Sequence, residues 1–381
     1  MSEPRTERVL DALVDICGPD FARVGRSVDA VAGHRAAFVA VPATTRAVAD
    51  TLRLAADHGL RVVVRGSGSK IDWGRPPPAV DLIVDTGRLS GMWNHDVPAL
   101  TAEVATGTPV AALQAALALR GQRLPVDPPS RTATVGGMLA VNESGPLRYR
   151  FGMPAEHVDR VTYVDAAGRA AESDGEQGRP GLAEIDGVIT SAVVRLRPLP
   201  AARRWAAVPV PNPLRLAALV TAASDLEPSG VEADLPADGT AGTLAALFEG
   251  DDEASVAGRA ERLAGMWGDG ATVAPIAPPW WGRYPFGRDE IALRLSVPAA
   301  DLPAAIYALG DAIGAAVPFR GSAALGVGHA VLPGTFTPDR VESLLDTLRH
   351  VLMARNGRVV IVAAPVALAR RVEMAARHDM F

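Results

Sequence analysis

The sequence predicts an α+β fold in two domains, residues 1–200 and a smaller domain of residues 201–381. Short apolar runs rich in β-branched residues alternate with stretches of helical periodicity, which is the pattern of a mixed fold. With 381 residues, of which 48% are hydrophobic and 21% charged, the chain is long enough for two buried cores. The segment RPLPAARRW at 197–205 interrupts the alternation, so we place the predicted boundary there.

The elements of the first domain follow from cap residues and apolar spacing. A helix is predicted between Thr44 and Gly59, because a hydroxyl residue precedes apolar positions at helical spacing and a glycine ends them. Thr108, as the N-cap, and Gly121 delimit a second helix in the same way. Residues 124–152 mix proline, glycine and small residues and are predicted to form a loop around a short apolar segment. Apolar runs bounded by turn residues predict strands at 61–64, 81–85, 102–105, 158–165 and 188–196.

The elements of the second domain show a similar alternation. Helical periodicity covers 214–223 and 254–266, and strand-like apolar runs cover 291–297 and 359–363. This mixture predicts a second α+β unit, which we expect to serve as a substrate or cap domain or as a subunit interface.

Composition and charge exclude several classes of protein. The net charge is −5 and no Lys/Arg cluster stands out, so neither a nucleic acid nor an anionic membrane is expected as a partner. The first 18 residues carry acids and lack an apolar core, and no apolar run reaches the roughly 20 residues of a membrane span. One cysteine, Cys17, allows neither an internal disulfide nor a thiolate metal cluster, so no metal is expected. The sequence therefore predicts a cytoplasmic protein.

A glycine-rich loop follows the predicted strand at 61–64. Residues 66–70 read GSGSK, and glycine allows backbone N–H groups to turn toward an anion. Lys70 is the only lysine of the chain, and a lysine ammonium is a common phosphate partner. The proline-rich continuation cannot start a helix, which excludes a Rossmann turn, and the glycine spacing excludes a Walker loop. A purely structural turn would explain this loop equally well if it stood alone.

A second loop favours a ligand. Residues 133–137 read ATVGG, with adjacent glycines beside a hydroxyl group, and further small and polar residues follow as far as Arg148. Two such loops in one domain suit an extended diphosphate better than a single phosphate.

Six motifs occur in order between residues 65 and 200: RGSGSK, DTGRLSGM, AEVATGTPVAALQAAL, GQRLPVDPP, ATVGGMLAVNESGPLRYRFG and VITSAVVRLRPLP. This order resembles the FAD-binding domain, of the PCMH type, of the vanillyl-alcohol oxidase superfamily. Within that superfamily, the FAD-binding small subunits of bacterial glycolate oxidase show the strongest resemblance. The resemblance covers residues 35–200, and the stretch WWGRYPFGRDEIALRLSVP at 280–298 extends it more loosely.

The resemblance implies that two α+β lobes hold FAD between them. It also implies oxidation of a small 2-hydroxy acid, with hydride transfer to the flavin. Carried over by position, the cofactor-binding residues would be Arg65, Gly66, Ser67, Gly68, Ser69 and Lys70 along the pyrophosphate, Thr134, Val135, Gly136, Gly137, Asn142, Gly145 and Arg148 from the other side, and Ile189 at the adenine or ribose end.

Catalysis of that kind needs a base for the hydroxyl proton and a cation for the carboxylate. His329 is a candidate base, and Arg283 with Tyr284 could form part of a substrate wall with a carboxylate clamp. A packed core histidine and a domain-interface cluster are the competing interpretations of these residues. The resemblance further implies a larger flavoprotein or an iron–sulfur subunit as a partner.

One departure from the relatives leaves other functions open. Relatives place a longer flavin-contacting segment after the strand near Val164, whereas residues 171–190 are all that stand here. A cofactor-poor, non-catalytic structural or regulatory subunit is therefore a second hypothesis. A different flavin reaction, such as natural-product oxidation, is a third.

Overall fold

The computed structural model describes residues 3–173, 182 and 185–381. Half of the segment 171–190, on which the predicted shortening falls, lies outside these described residues.

The first lobe is built on a four-stranded sheet. Its strand order is β1-β4-β6-β5, with β6 parallel to both β4 and β5, so β5 lies at an open edge. Helices α1 and α2 cover the sheet, and Phe38 and Leu82 are fully buried in the core between them. The bounds of this lobe are α1 Glu3–Cys17, β1 Ala22–Val24, β2 Ala30–Val31, β3 His34–Arg35, β4 Phe38–Ala40, α2 Thr45–Asp57, β5 Val62–Arg65 and β6 Leu82–Asp85.

The second lobe is an antiparallel five-stranded sheet of order β11-β10-β12-β8-β7. Helices α3 and α4 pack on it through Leu113, Leu117 and Met138, which are buried. The bounds are β7 Met92–Asp96, β8 Thr101–Ala105, α3 Val110–Ala118, β9 Gln122–Arg123, α4 Val135–Val141, α5 Arg148–Phe151, a 3-10 helix Pro154–His157, β10 Val158–Asp165, β11 Ala170–Ser173, β12 Gly187–Arg195 and β13 Arg197–Pro198.

The remaining strands form one eight-stranded antiparallel sheet of order β17-β14-β16-β15-β19-β20-β18-β21. Helices α6 to α9 bury their apolar faces in a core with Phe248 and Phe319 of this sheet. The bounds are β14 Ala202–Val210, α6 Leu216–Ser224, β15 Gly230–Leu235, β16 Gly242–Gly250, α7 Glu253–Trp267, β17 Thr272–Ala274, β18 Glu290–Ser296, α8 Leu302–Ile313, β19 Phe319–Ser322, β20 Val327–Pro333, α9 Pro338–Met353, β21 Arg358–Ala363 and α10 Val366–Ala369, with 3-10 helices Pro213–Arg215, Ala299–Asp301 and Arg377–Asp379.

The α+β class is confirmed, and the predicted strands and longer helices match observed elements to within a few residues. The strands of the eight-stranded sheet lie between residues 202 and 363. The division into domains at residue 200 stays a prediction. Among the described residues, no helix combines the length and apolar character needed to cross a bilayer.

Two local predictions were wrong. The predicted loop at 124–152 contains helices α4 and α5. Helix α4 was missed because glycines lower helix propensity, yet the Thr134 side chain caps its N-terminus and Asn142 ends it in the left-handed region, at φ 56°. Thr108 does not cap α3, because its hydroxyl accepts a hydrogen bond from Gly91 N–H at 2.8 Å, and Pro109 takes the N-cap position instead.

Backbone and side-chain contacts join the C-terminal region to both lobes. Gly74 N–H donates to the Val362 carbonyl at 2.9 Å, and Arg75 N–H donates to the Ala375 carbonyl at the same distance. Arg123 of the second lobe makes a bidentate ion pair with Glu249 of the eight-stranded sheet, at 2.8 and 2.9 Å. These contacts place the face of the large sheet next to the glycine loops.

Candidate functional site

A cavity of about 790 Å³ lies between the two lobes. Residues 65–70 line one side, and Gly136, Gly137 and Ile189 line the other. Its apolar wall includes Val64, which is 42% exposed although it belongs to a strand. A cavity of this volume suits a dinucleotide-sized ligand, and the structure places both predicted loops on it.

The first loop presents open backbone donors to this cavity. Because β5 is an edge strand, the chain beyond Arg65 has no neighbouring strand on that side. Among the described residues, no hydrogen bond uses the N–H groups of residues 66–70, and Ser67 and Ser69 are exposed. Gly68 has φ +77°, a conformation that other residues adopt at a cost. The loop therefore forms a cradle of amide and hydroxyl donors suited to an anion.

The two loops also contact each other. A Cβ atom on Gly66 would lie 2.2 Å from Thr134 Oγ1, so glycine is required there by packing. A Cβ atom on Gly136 would lie 2.7 Å from Thr106 Cβ, and the Gly136 N–H donates to the Thr106 carbonyl at 2.7 Å. The Gly137 N–H donates to Thr134 Oγ1 at 3.1 Å. The second loop thus contributes shape to the cavity, while its glycine amides are already bonded.

The lysine of the first loop does not offer its charge to the cavity. Lys70 Nζ pairs with Glu143, which is fully buried, and donates to Ser130 Oγ at 2.8 Å. Burial lowers the pKa of Lys70, and the Glu143 carboxylate opposes that change. Lys70 lines the large cavity, and its contact with a pyrophosphate stays a prediction. Sequence reasoning missed Glu143 because it lies 73 residues further along the chain.

The Arg65 guanidinium is also engaged within the protein. It forms ion pairs with Asp29 at 3.0 Å and with Asp85 at 2.9 Å. Asp29 is buried, and hydrogen bonds from Arg23 and Arg65 hold the pKa of its carboxyl far below its usual range. Arg65 thus fixes the start of the amide cradle rather than presenting a free cation.

The remaining predicted cofactor residues of the second loop lie away from the large cavity. Thr134, Val135 and Asn142 do not line the large cavity. Val135 is fully buried in the core of the second lobe, and Asn142 Oδ1 accepts from the Ala155 N–H at 2.9 Å. Gly145 and Arg148 line a second, smaller cavity.

The second cavity has a volume of about 70 Å³ and lies against the face of the eight-stranded sheet. Arg148 and Arg294 line it, and among the described residues neither guanidinium makes a hydrogen bond or an ion pair. The opposite charges that act on them from further away include Glu232 for Arg148 and Asp379 for Arg294. Burial and, to a lesser extent, the nearby Arg148 lower the pKa of Arg294 to about 10. A buried Arg294 and a half-buried Arg148, neither with a hydrogen-bonded carboxylate in the described part of the chain, make this cavity suited to an anion.

Titratable side chains complete its wall. Burial raises the pKa of Glu232 well above its ordinary value. Burial also lowers the pKa of His329 to about 3, and the Nε2 atom of this residue is enclosed without a hydrogen-bond partner. Both predicted clamp residues, Arg283 and Tyr284, line the cavity, although Arg283 is largely exposed. Trp280 lines it too, whereas its neighbour Trp281 packs edge-on against Trp205.

Sheet register creates this arrangement. Four charged or titratable residues form one row across adjacent strands. Asp234 of β15 lies opposite Arg320 of β19, which lies opposite His329 of β20, and His329 lies opposite Arg294 of β18. Arg294 was missed in the sequence. The sequence does contain an indication of it, because a charged residue in the middle of an apolar strand-like run is energetically costly without a function or a partner.

An aromatic cluster separates the two cavities. Trp73 lines the large cavity and Tyr284 lines the small one, and their ring centroids are 5.0 Å apart. The Tyr284 ring also meets the His329 ring edge-on at 5.3 Å. The two cavities are therefore neighbours across one layer of side chains.

The region of the two lobes is similar to known proteins. The family described as "FAD binding domain" matches residues 36–174. The chain is 36% identical over 117 residues to glycolate oxidase subunit GlcE of Escherichia coli (strain K12), covering 30% of this chain and 33% of that protein. It is 26% identical over 219 residues to glycolate oxidase subunit GlcD of Bacillus subtilis (strain 168), covering 52% of this chain and 47% of the relative.

These matches span between a third and a half of the length of the curated relatives. The fold match is longer. A crystal structure of p-cresol methylhydroxylase with substrate bound superposes with a TM-score of 0.70 at 14% identity, covering 97% of this chain and 90% of that one. At this identity the likeness concerns the fold.

Proposed function

We propose that this chain, whose residues 36–174 match a family of FAD-binding domains, is an FAD-dependent oxidoreductase that oxidises a small 2-hydroxy acid. The similarity to proteins named as glycolate oxidase subunits supports this class of reaction.

The large cavity is the proposed cofactor site. The open N–H groups of residues 66–70 and the hydroxyls of Ser67 and Ser69 would hold the pyrophosphate, since they are donors without partners among the described residues. Val64 and Ile189 would pack on the apolar parts of the ligand. When bound, FAD supplies a flavin ring that accepts the electrons of the oxidation.

The observation that carries the substrate proposal is the pair of unpaired guanidiniums in the small cavity. Arg148 and Arg294 would bind the substrate carboxylate, because enclosed guanidiniums that make no hydrogen bond to a carboxylate among the described residues gain from an anionic ligand. The volume of about 70 Å³ favours an acid of two to four carbons over an aromatic substrate. Trp73 and Tyr284 stand between this cavity and the cofactor cavity. Transfer of a hydride from the substrate carbon to the flavin ring would therefore require these side chains to move aside so that the two come into contact.

Glu232 is a better candidate than His329 for the hydroxyl proton. A base works best when its pKa is near the working pH. The low pKa of His329 makes it a weak proton acceptor. The pKa of Glu232 is raised above its ordinary value, which makes this carboxylate a stronger base. In the proposed reaction, Glu232 accepts the substrate hydroxyl proton while Arg294 holds the carboxylate.

A partner subunit is part of the proposal. Both curated relatives are named as subunits, and we propose that this chain acts with a larger flavoprotein or an iron–sulfur subunit that takes up the electrons.

Anaerobic addition of glycolate or lactate to the FAD-loaded protein tests the proposed function. Bleaching of the flavin absorption bands is expected, and Arg294→Gln should slow it at least tenfold. Arg340→Gln, on the exposed start of α9, is the matched control and should leave the rate unchanged. If the loaded wild-type protein is not reduced by any small 2-hydroxy acid, the substrate proposal fails and a non-catalytic subunit is favoured.

A further inference from the structure

A hydrogen-bonded chain connects the two cavities through a residue that lines neither. Lys70 follows the amide cradle directly and lines the large cavity, and Tyr284 lines the small one. Glu143 lies between them, with no exposed surface. Its carboxylate pairs with Lys70 Nζ, accepts the Tyr284 hydroxyl at 2.7 Å and accepts the Ser130 N–H at 3.0 Å.

This arrangement restricts the motion of all its members. A buried carboxylate has no water to replace a lost donor, so each of its hydrogen bonds is costly to break. The Tyr284 hydroxyl stays protonated and remains a donor, since burial and the Glu143 carboxylate raise its pKa well above the ordinary value. Lys70 and Tyr284 therefore cannot shift independently of each other.

We infer that Glu143 is a positioning residue that couples occupancy of the cofactor cavity to the shape of the substrate cavity. This inference rests on the proposed function. A ligand bound to the amides of residues 66–70 fixes the loop that ends in Lys70, and the Lys70–Glu143–Tyr284 chain then fixes one wall of the small cavity. That wall includes the ring of Tyr284 in contact with His329. By linkage, an anion in the small cavity strengthens FAD binding by the same factor.

Oxalate, a small acid that the proposed oxidation cannot consume, serves as the probe. Its dissociation constant is measured by calorimetry with the full chain, with and without FAD. The wild-type protein should bind oxalate at least about fivefold more tightly when FAD is present, which is the lower end of ordinary coupling. Tyr284→Phe removes only the hydroxyl and should bring that ratio close to one. Tyr307→Phe, at an exposed position of α8, is the matched control and should keep the wild-type ratio.

A second variant breaks the same hydrogen-bonded chain without leaving a buried charge unpaired, so that a folding defect is not mistaken for loss of coupling. Lys70→Met combined with Glu143→Leu replaces the buried pair by apolar side chains and leaves no charge unpaired. It should lose the FAD dependence of oxalate binding as Tyr284→Phe does. A wild-type ratio of one, or a ratio that survives in both variants, overturns the inference.

Failure of the proposed function is distinguishable from failure of this inference. If the wild-type protein binds neither FAD nor oxalate, the proposed function fails. The Lys70–Glu143–Tyr284 chain of hydrogen bonds is then tested by a double-mutant cycle of Tyr284→Phe and Glu143→Gln, measured on the free energy of unfolding of the ligand-free protein. Non-additive effects support coupling between these two residues, and additive effects overturn it.

Discussion

Gly66 is the residue at which the two loops meet, and it has no room for a side chain. We predict that Gly66→Ala weakens FAD binding at least tenfold and lowers the free energy of unfolding by about 1–3 kcal/mol, because the new methyl group overlaps Thr134 Oγ1. Fluorescence titration of FAD and denaturant unfolding measure the two effects.

The matched rescue is Gly66→Ala combined with Thr134→Ala, which removes the overlapping oxygen. Partial recovery of FAD affinity relative to Gly66→Ala is expected. An affinity of Gly66→Ala equal to that of the wild type would contradict the proposed contact between the loops and the cofactor.

His329 links stability to pH. The unfolded histidine has a pKa near 6.5 and the folded one a pKa of about 3, so between these values only the unfolded state binds the proton. The wild-type free energy of unfolding should therefore fall on acidification from pH 6.5, with up to about 1.4 kcal/mol per pH unit from this residue. His329→Phe should show a shallower fall in urea unfolding between pH 6.5 and 4. His350→Gln, at an exposed position, is the control, and equal slopes for His329→Phe and the wild type would refute the assignment.

Helix α4 shows how an element can shape a site without donating to the ligand. Thr134 caps α4 and also contacts Gly66. Thr44 caps the N-terminus of α2, and this residue does not line the cavity. Both Thr134→Ala and Thr44→Ala should lower the free energy of unfolding by about 1 kcal/mol, the usual effect of losing an N-cap. Only Thr134→Ala should also weaken FAD binding. Chemical denaturation and FAD titration check this, and equal affinities of the two variants would count against a role of α4 in the site.

The elements that the sequence predicts are those with local signals. Strand β5 and its glycine loop follow from an apolar run and turn residues, and helix α2 follows from its cap and spacing. Helix α4 escapes prediction because Gly136 and Gly137 disfavour helix locally, while tertiary packing against Thr106 stabilises it. The partner of Lys70 escapes because the ion pair with Glu143 joins distant segments of the chain.

The small cavity is formed by residues from distant parts of the chain, and no local sequence pattern predicts it. Arg148 comes from the second lobe, and Arg294 and His329 come from neighbouring strands of the eight-stranded sheet. Their proximity depends on strand register and on the packing of that sheet against the lobes, which a single sequence does not encode in any short segment. The resemblance to flavin-binding domains directs attention to the large cavity, and the small one is found only in three dimensions.

Hydrogen–deuterium exchange of the amides at 66–70, with and without FAD, tests most directly whether the amide cradle holds the cofactor. These amides have no partner among the described residues, so they should exchange rapidly in the FAD-free protein. Saturating FAD should slow their exchange at least tenfold, while amides in α9, which does not line the large cavity, stay unchanged. FAD that binds without protecting this loop, or fails to bind at all, would contradict the account.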